Sequence, residues 1–149
     1  MELNEFLIAA KTSSYASNGE ANEHRLPDGS LELIYSAGGF DYRDRYFGDD
    51  PFVGQEIVFQ DGKAIWSMNY YGRIVDKKYP VAEIYGFLQK MLRQVTLERP
   101  FRGPSTFEEG NFVYNDESLG TLESFSGVER ILFNGHKVYQ LKYHGGTIK

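Results

Sequence analysis

The stretch Phe40-x-Tyr42-x-Asp44, followed by Gly48, returns later in the chain as Phe112-x-Tyr114-x-Asp116, followed by Gly120. Phe52-x-Gly54-x-Glu56-x-Val58 then returns as Phe125-x-Gly127-x-Glu129-x-Ile131, slipped by one residue. Asp61-Gly62 becomes Asn134-Gly135, and Trp66-x-Met68-x-Tyr70-x-Gly72 becomes Tyr139-x-Leu141-x-Tyr143-x-Gly145. A pattern that repeats over this length is the signature of one supersecondary unit used twice. Alternation of apolar and polar residues marks the unit as strands. Asx-Gly between two such runs marks a hairpin, because both central residues of a type I′ turn need positive φ.

Working outward, Leu31, Leu33 and Tyr35 alternate ahead of Gly38-Gly39, and Phe107 and Gly110 hold the matching places before the second motif. Leu3, Phe6, Leu7 and Ala10 recur at helical spacing, which predicts a helix from Glu2 to Lys11. The aperiodic segment from Thr12 to Gly29 reads as a loop. Pro80 can open a second helix carrying Val81, Ile84, Tyr85, Leu88, Met91, Leu92 and Val95 to about Thr96, and Pro100 and Pro104 stop it. The chain is thus expected to be α+β. Two αββββ units, with copies at about 27–75 and 99–148, would form one antiparallel sheet system, open or barrel-like, with two helices packed on it.

The 149 residues suffice for a single domain, here 1–149, with a substantial core. Hydrophobic residues at 41% and charged residues at 25% are those of a globular chain, and aromatics at 15% gather in the strand-like runs. A net charge of −5 and no basic stripe argue against nucleic-acid binding by the chain itself. The absence of cysteine removes disulfides, thiolate metal sites and cysteine nucleophiles together. Without a secretory signal or an apolar run of bilayer length, a cytoplasmic protein with no membrane association is expected. His24, His136 and His144 do not form a metal-ligand spacing, so no metal and no cofactor are expected.

Continuing each hairpin's register back from its turn places Val58 opposite Ile65 and Glu56 opposite Ser67. One face would then gather Val53, Gln55, Ile57, Phe59, Ala64, Trp66, Met68 and Tyr70 as core. The other would hold Phe52, Glu56, Asn69 and Tyr71, matched in the second copy by Phe125, Glu129, Gln140 and His144. Such a half-apolar, half-polar surface resembles a small-molecule site, with the glutamates supplying charge, Asn69 and Gln140 hydrogen bonds, and Phe52, Tyr71, Phe125 and His144 walls. The plainer alternative makes Glu56 and Glu129 strand residues satisfied by neighbours. Asp44 and Asp116 are expected to end strands and bond turn amides rather than to work as a paired acid.

Tyr15-Ala16-Ser17, Trp66-Ser67-Met68-Asn69-Tyr70 before Gly72, and Tyr143-His144-Gly145-Gly146 resemble a family of small bacterial domains of unknown function. Its members stand alone or follow a helix-turn-helix segment, and this chain is similar to the stand-alone form. A looser resemblance is to gyrase-inhibitor-like effector-binding domains, which implies a ligand groove between two halves. The expected function is therefore non-catalytic binding of a cationic or aromatic small molecule between the repeats. The alternatives are a protein-interaction module, compatible with a homodimer, and a small enzyme using Glu/His acid–base chemistry.

Overall fold

A computed structural model describes residues 1–16 and 23–149. The first helix, α1 (Leu3–Ala16), is followed by β1 (Glu23–Arg25), β2 (Leu31–Ala37), β3 (Phe40–Phe47), β4 (Phe52–Gln60) and β5 (Lys63–Ile74). After α2 (Val81–Leu92) come β6 (Thr106–Glu109), β7 (Phe112–Thr121), β8 (Ser124–Phe133) and β9 (His136–Thr147). The fold is α+β, and the strands form one open antiparallel sheet of nine in the order β1-β2-β3-β4-β5-β9-β8-β7-β6. The chain walks from one edge to β5 at the centre, crosses through α2 to the far edge, and walks back until β9 pairs with β5. Tyr70 lies opposite Tyr143 at that central seam.

Both Asx-Gly turns form as expected, with φ of 50° at Asp61 and at Asn134 and of 78° and 80° at the glycines that follow. The helix expected to stop at Lys11 runs on to Ala16. Its polar residues do not break it because their hydroxyls fold back onto its own carbonyls: Thr12 donates to Ile8 O at 2.7 Å and Ser14 to Ala10 O at 3.0 Å. The long loop expected up to Gly29 also contains β1, which pairs with β2; residues 17–22 of it lie outside the described residues.

The register behind each turn departs from expectation by one residue. Gln60 pairs with Lys63, but then Phe59 pairs with Ala64 and Val58 with Trp66, leaving Ile65 as a bulge. The second hairpin repeats this: Leu132 pairs with Lys137 and Ile131 with Tyr139, leaving Val138 extra. Because side chains alternate, one extra residue turns everything beyond it to the other face. Trp66, Met68 and Tyr70 therefore share a face with Phe52, Glu56 and Val58, and Val53, Gln55, Ile57 and Phe59 face the opposite way. Trp66, Met68, Val58, Ile131, Tyr139 and Leu141 are fully buried there, whereas Val53 is 46% exposed.

Both helices cover this inner face. Phe6 of α1 packs on Phe40 at 5.1 Å between ring centroids, and Phe87 of α2 stacks on Phe112 at 4.9 Å, matching places in the two motifs. Among the described residues the outer face carries no helix.

Candidate functional site

Among the described residues the buried inner face holds four carboxylates, Asp44, Glu56, Asp116 and Glu129, none more than 8% exposed. They come as cross-strand neighbours, Asp44 opposite Glu56 and Asp116 opposite Glu129. Buried carboxylates persist only where hydrogen bonds and counter-charges compensate them, and the repeated tyrosines supply the former. Tyr42 donates to Glu56 at 2.7 Å, and Tyr70 to Asp44 at 2.5 Å. Likewise Tyr114 and Tyr139 donate to Glu129, the latter at 2.8 Å, and Tyr143 to Asp116 at 2.9 Å. Each Tyr–Asp contact passes over a glycine. A Cβ on Gly54 would lie 2.3 Å from the Tyr70 hydroxyl, and one on Gly127 would lie 2.0 Å from the Tyr143 ring.

Counter-charges come from outside the sheet. Lys11, buried in α1, lies 3.2 Å from Glu56 and also donates to the carbonyl of Phe101. Arg102 grips Glu129 through two nitrogens, at 3.1 and 2.9 Å. Arg99 lies 3.2 Å from Asp116, donating to its backbone carbonyl at 2.7 Å and to Ser118 at 3.2 Å. Among the described residues, Asp44 alone of the four has no ion pair. Residues 17–22 contain no Lys or Arg that could provide one. Burial, reinforced by the Glu56 charge, pushes the Asp44 carboxyl up to about 7 against the pull of the Tyr70 hydroxyl, Arg102 and Lys11. Asp116 rises only to about 6, again through burial first and the neighbouring Glu129 second, with Arg99 among the groups opposing. Burial lowers the Lys11 ammonium, with Glu56 opposing.

Asp44 opens onto a cavity of about 370 Å³ between the first half of the sheet, the end of α1 and the flank of α2. Leu33, Phe52, Leu88 and Leu92 give it apolar walls, and Arg102 borders it with its charge already held by Glu129. Its size is that of a small-molecule site, and a few polar groups on an apolar lining are what such a site needs for orientation.

The eight residues expected to form one site divide between the faces. Phe52, Glu56, Phe125 and Glu129 are on the covered inner face. Glu56 is held through one oxygen by Tyr42 and Lys11, Glu129 through both by Tyr114, Tyr139 and Arg102, and of the eight only Phe52 lines the cavity. Asn69, Tyr71, Gln140 and His144 lie on the outer face, where Tyr71 is 50% exposed and Asn69 accepts from Gln55 at 2.7 Å. The two bulges cause this division. They also separate His144 from both glutamates by the thickness of the sheet, so that acid–base pairing is not formed. Tyr71 and Gln140 instead border an outer depression of about 420 Å³ with Arg73, Lys137 and Lys142.

Asp44 and Asp116 sit mid-strand and bond tyrosines, not turn amides as expected. The signal for them was present: Tyr and Asp two apart in both motifs must share a face, and that face is apolar on either side. Lys11 and Ser14 continue the apolar stripe of α1 beyond Ala10, which marked them as inward-facing. Arg99 and Arg102 had no such signal, since they lie in an aperiodic loop. Among the described residues no group of His, Cys, Asp and Glu could hold a metal ion, and no helix is long and apolar enough to cross a membrane.

An open antiparallel sheet of nine strands with two helices on its inner face makes this a small α+β domain. The family described as a domain of unknown function, DUF5680, matches residues 44–148, and the chain belongs to it. That match begins at Asp44 itself. Comparison with curated proteins and with solved structures gives no match.

Proposed function

We propose that the protein is a non-catalytic binding module whose cavity takes a small organic cation, with the cation on Asp44. One observation carries the reading. Three of the four buried carboxylates have a cation of the chain's own, and Asp44 has an open cavity in that place. A ligand ammonium or amidinium would complete the set, and the aromatic and aliphatic lining would hold its body.

The reading includes an origin by duplication of an αββββ unit, with copies at about 27–75 and 99–148. Arg99 then serves one Asp of the pair and a ligand the other. It also includes a cytoplasmic setting, in keeping with a chain that lacks cysteine. A protein-interaction module is the second reading, favoured by the outer face, where Ile34, Val53 and Tyr71 are exposed.

The test is a thermal-shift screen of organic amines and amidines against the wild type and Asp44→Asn at pH 8. Amine-dependent stabilisation of the wild type and none of the variant is expected. If no compound stabilises the wild type, or the variant responds equally, the reading is wrong.

A further inference from the structure

We infer that the cavity's ligand is a linear polyamine, an inference that rests on the cation-binding reading above. A single ammonium group would satisfy Asp44 alone, but among the described residues the lining holds three carboxylates, Glu23, Asp44 and Asp49. Their exposure is graded, with Asp49 exposed, Glu23 half-buried and Asp44 buried, so negative charge runs from the mouth to the floor. The rings of Tyr46, Phe52, Tyr70 and Tyr85 line the same space. Phe52 sits 6.0 Å from Tyr70 and 6.1 Å from Tyr85, so a group of packed rings shares the lining with the carboxylates. Ammonium groups joined by short methylene chains match a lining that combines several carboxylates with ring faces.

The acidic groups do not stand alone as an indication. Asp44 is more than nine-tenths buried, and only one of its oxygens has a partner among the described residues, the Tyr70 hydroxyl. Its second oxygen belongs to a side chain on the cavity wall. Glu23 is already oriented, accepting from Tyr46 at 2.8 Å. Among the described residues of the lining the one cation is Arg102, which grips Glu129 through two nitrogens.

The experiment is titration calorimetry of the full chain at pH 8 with 1,4-diaminobutane, spermidine and n-butylamine. The last has the length of the diamine and half its charge. The diamine and triamine are expected to bind at least about tenfold tighter than butylamine, as one further partly desolvated ion pair would give. Glu23→Gln and Asp49→Asn should each weaken the diamine more than butylamine and so erode that ratio, and Asp44→Asn should abolish binding of all three. Equal affinity for butylamine and the diamine, or a ratio that survives both outer variants, would overturn the polyamine assignment and leave the cation site standing. Polyamine binding that persists in Asp44→Asn would be general attraction to an acidic surface and would overturn the assignment too. No heat from any of the three would remove both readings.

Discussion

At the scale of residues, the buried charges set the behaviour with pH. In the unfolded chain Asp44 ionises near its ordinary value of 3.8, whereas in the folded protein it keeps its proton until about 7. The folded state therefore binds the extra proton between those values, and stability falls as pH rises from about 4 to about 7. Asp116 adds a smaller loss that ends near 6. Asp44→Asn keeps an acceptor for the Tyr70 hydroxyl and removes the ionisation. It should be more stable than wild type at pH 8 by on the order of 2 kcal/mol and equal to it below pH 4, read from urea midpoints across pH. The groups facing Asp44 come from every element around it: Glu56 and Tyr70 beside it on the sheet, Glu23 from β1, Lys11 from α1, Arg102 from the loop before β6, and Asp49 at the mouth. A bound cation outweighs the Glu56 repulsion, so amine affinity should climb through pH 7, with protons released on binding below it. Calorimetry in buffers of different ionisation enthalpy reads that release. At Lys11 the expected effect is plain loss. Lys11→Met strands Glu56 without a counter-charge and should cost about 3 kcal/mol, and adding Glu56→Gln should recover much of it.

Among the elements, the hairpins of β4–β5 and β8–β9 decide which side chains meet. The turns themselves were legible, since Asp61-Gly62 and Asn134-Gly135 demand positive φ at fixed places. The bulges were not. Ile65 and Val138 are ordinary strand residues, and nothing local distinguishes an extra β-branched residue from a paired one. Only the wish to bury Trp66 with Val58, rather than with Gln55, favours the slip, and that is a property of the packed sheet. The split of the expected site follows from this single point, whereas the two helices and the hairpin strands, carried by periodicity and by proline and glycine, were legible in outline. The pairing of β5 with β9, the strand β1 and the last turn of α1 were not, since each depends on contacts distant in sequence or on hydroxyls folding back onto the helix. Deleting Ile65 should turn Trp66, Met68 and Tyr70 outward and leave no cooperative unfolding transition, while Ile65→Val should be tolerated; thermal melts separate the two. Gly54 is the second decisive element-level feature. Gly54→Ala would drive a methyl into the Tyr70 hydroxyl, and a destabilisation of about 2 kcal/mol is expected, together with loss of amine binding as Tyr70 leaves Asp44.

For the molecule as a whole, the two halves are mutually dependent. β5 pairs with β9 along nine positions from Trp66 to Ile74, and Lys11 of the first half donates to Phe101 of the second. Fragments 1–75 and 76–149 made separately should each lack a cooperative melt, and circular dichroism of each against the mixture checks this. The halves also finish the sheet differently. At one edge β2 covers β3 from Phe40 to Tyr46. At the other, β6 covers only the first residues of β7, and the next open acceptor, the carbonyl of Asp116, is taken by the Arg99 guanidinium. An incoming strand from another molecule would have to evict that arginine and expose the Asp116 charge it covers. Described edge strands of three and four residues, Glu-His-Arg in β1 and Thr-Phe-Glu-Glu in β6, offer little else to grow on. Arg99 is in this respect a guard against polymerisation: a side chain that completes a buried charge pair also keeps an open sheet from being extended by its neighbours.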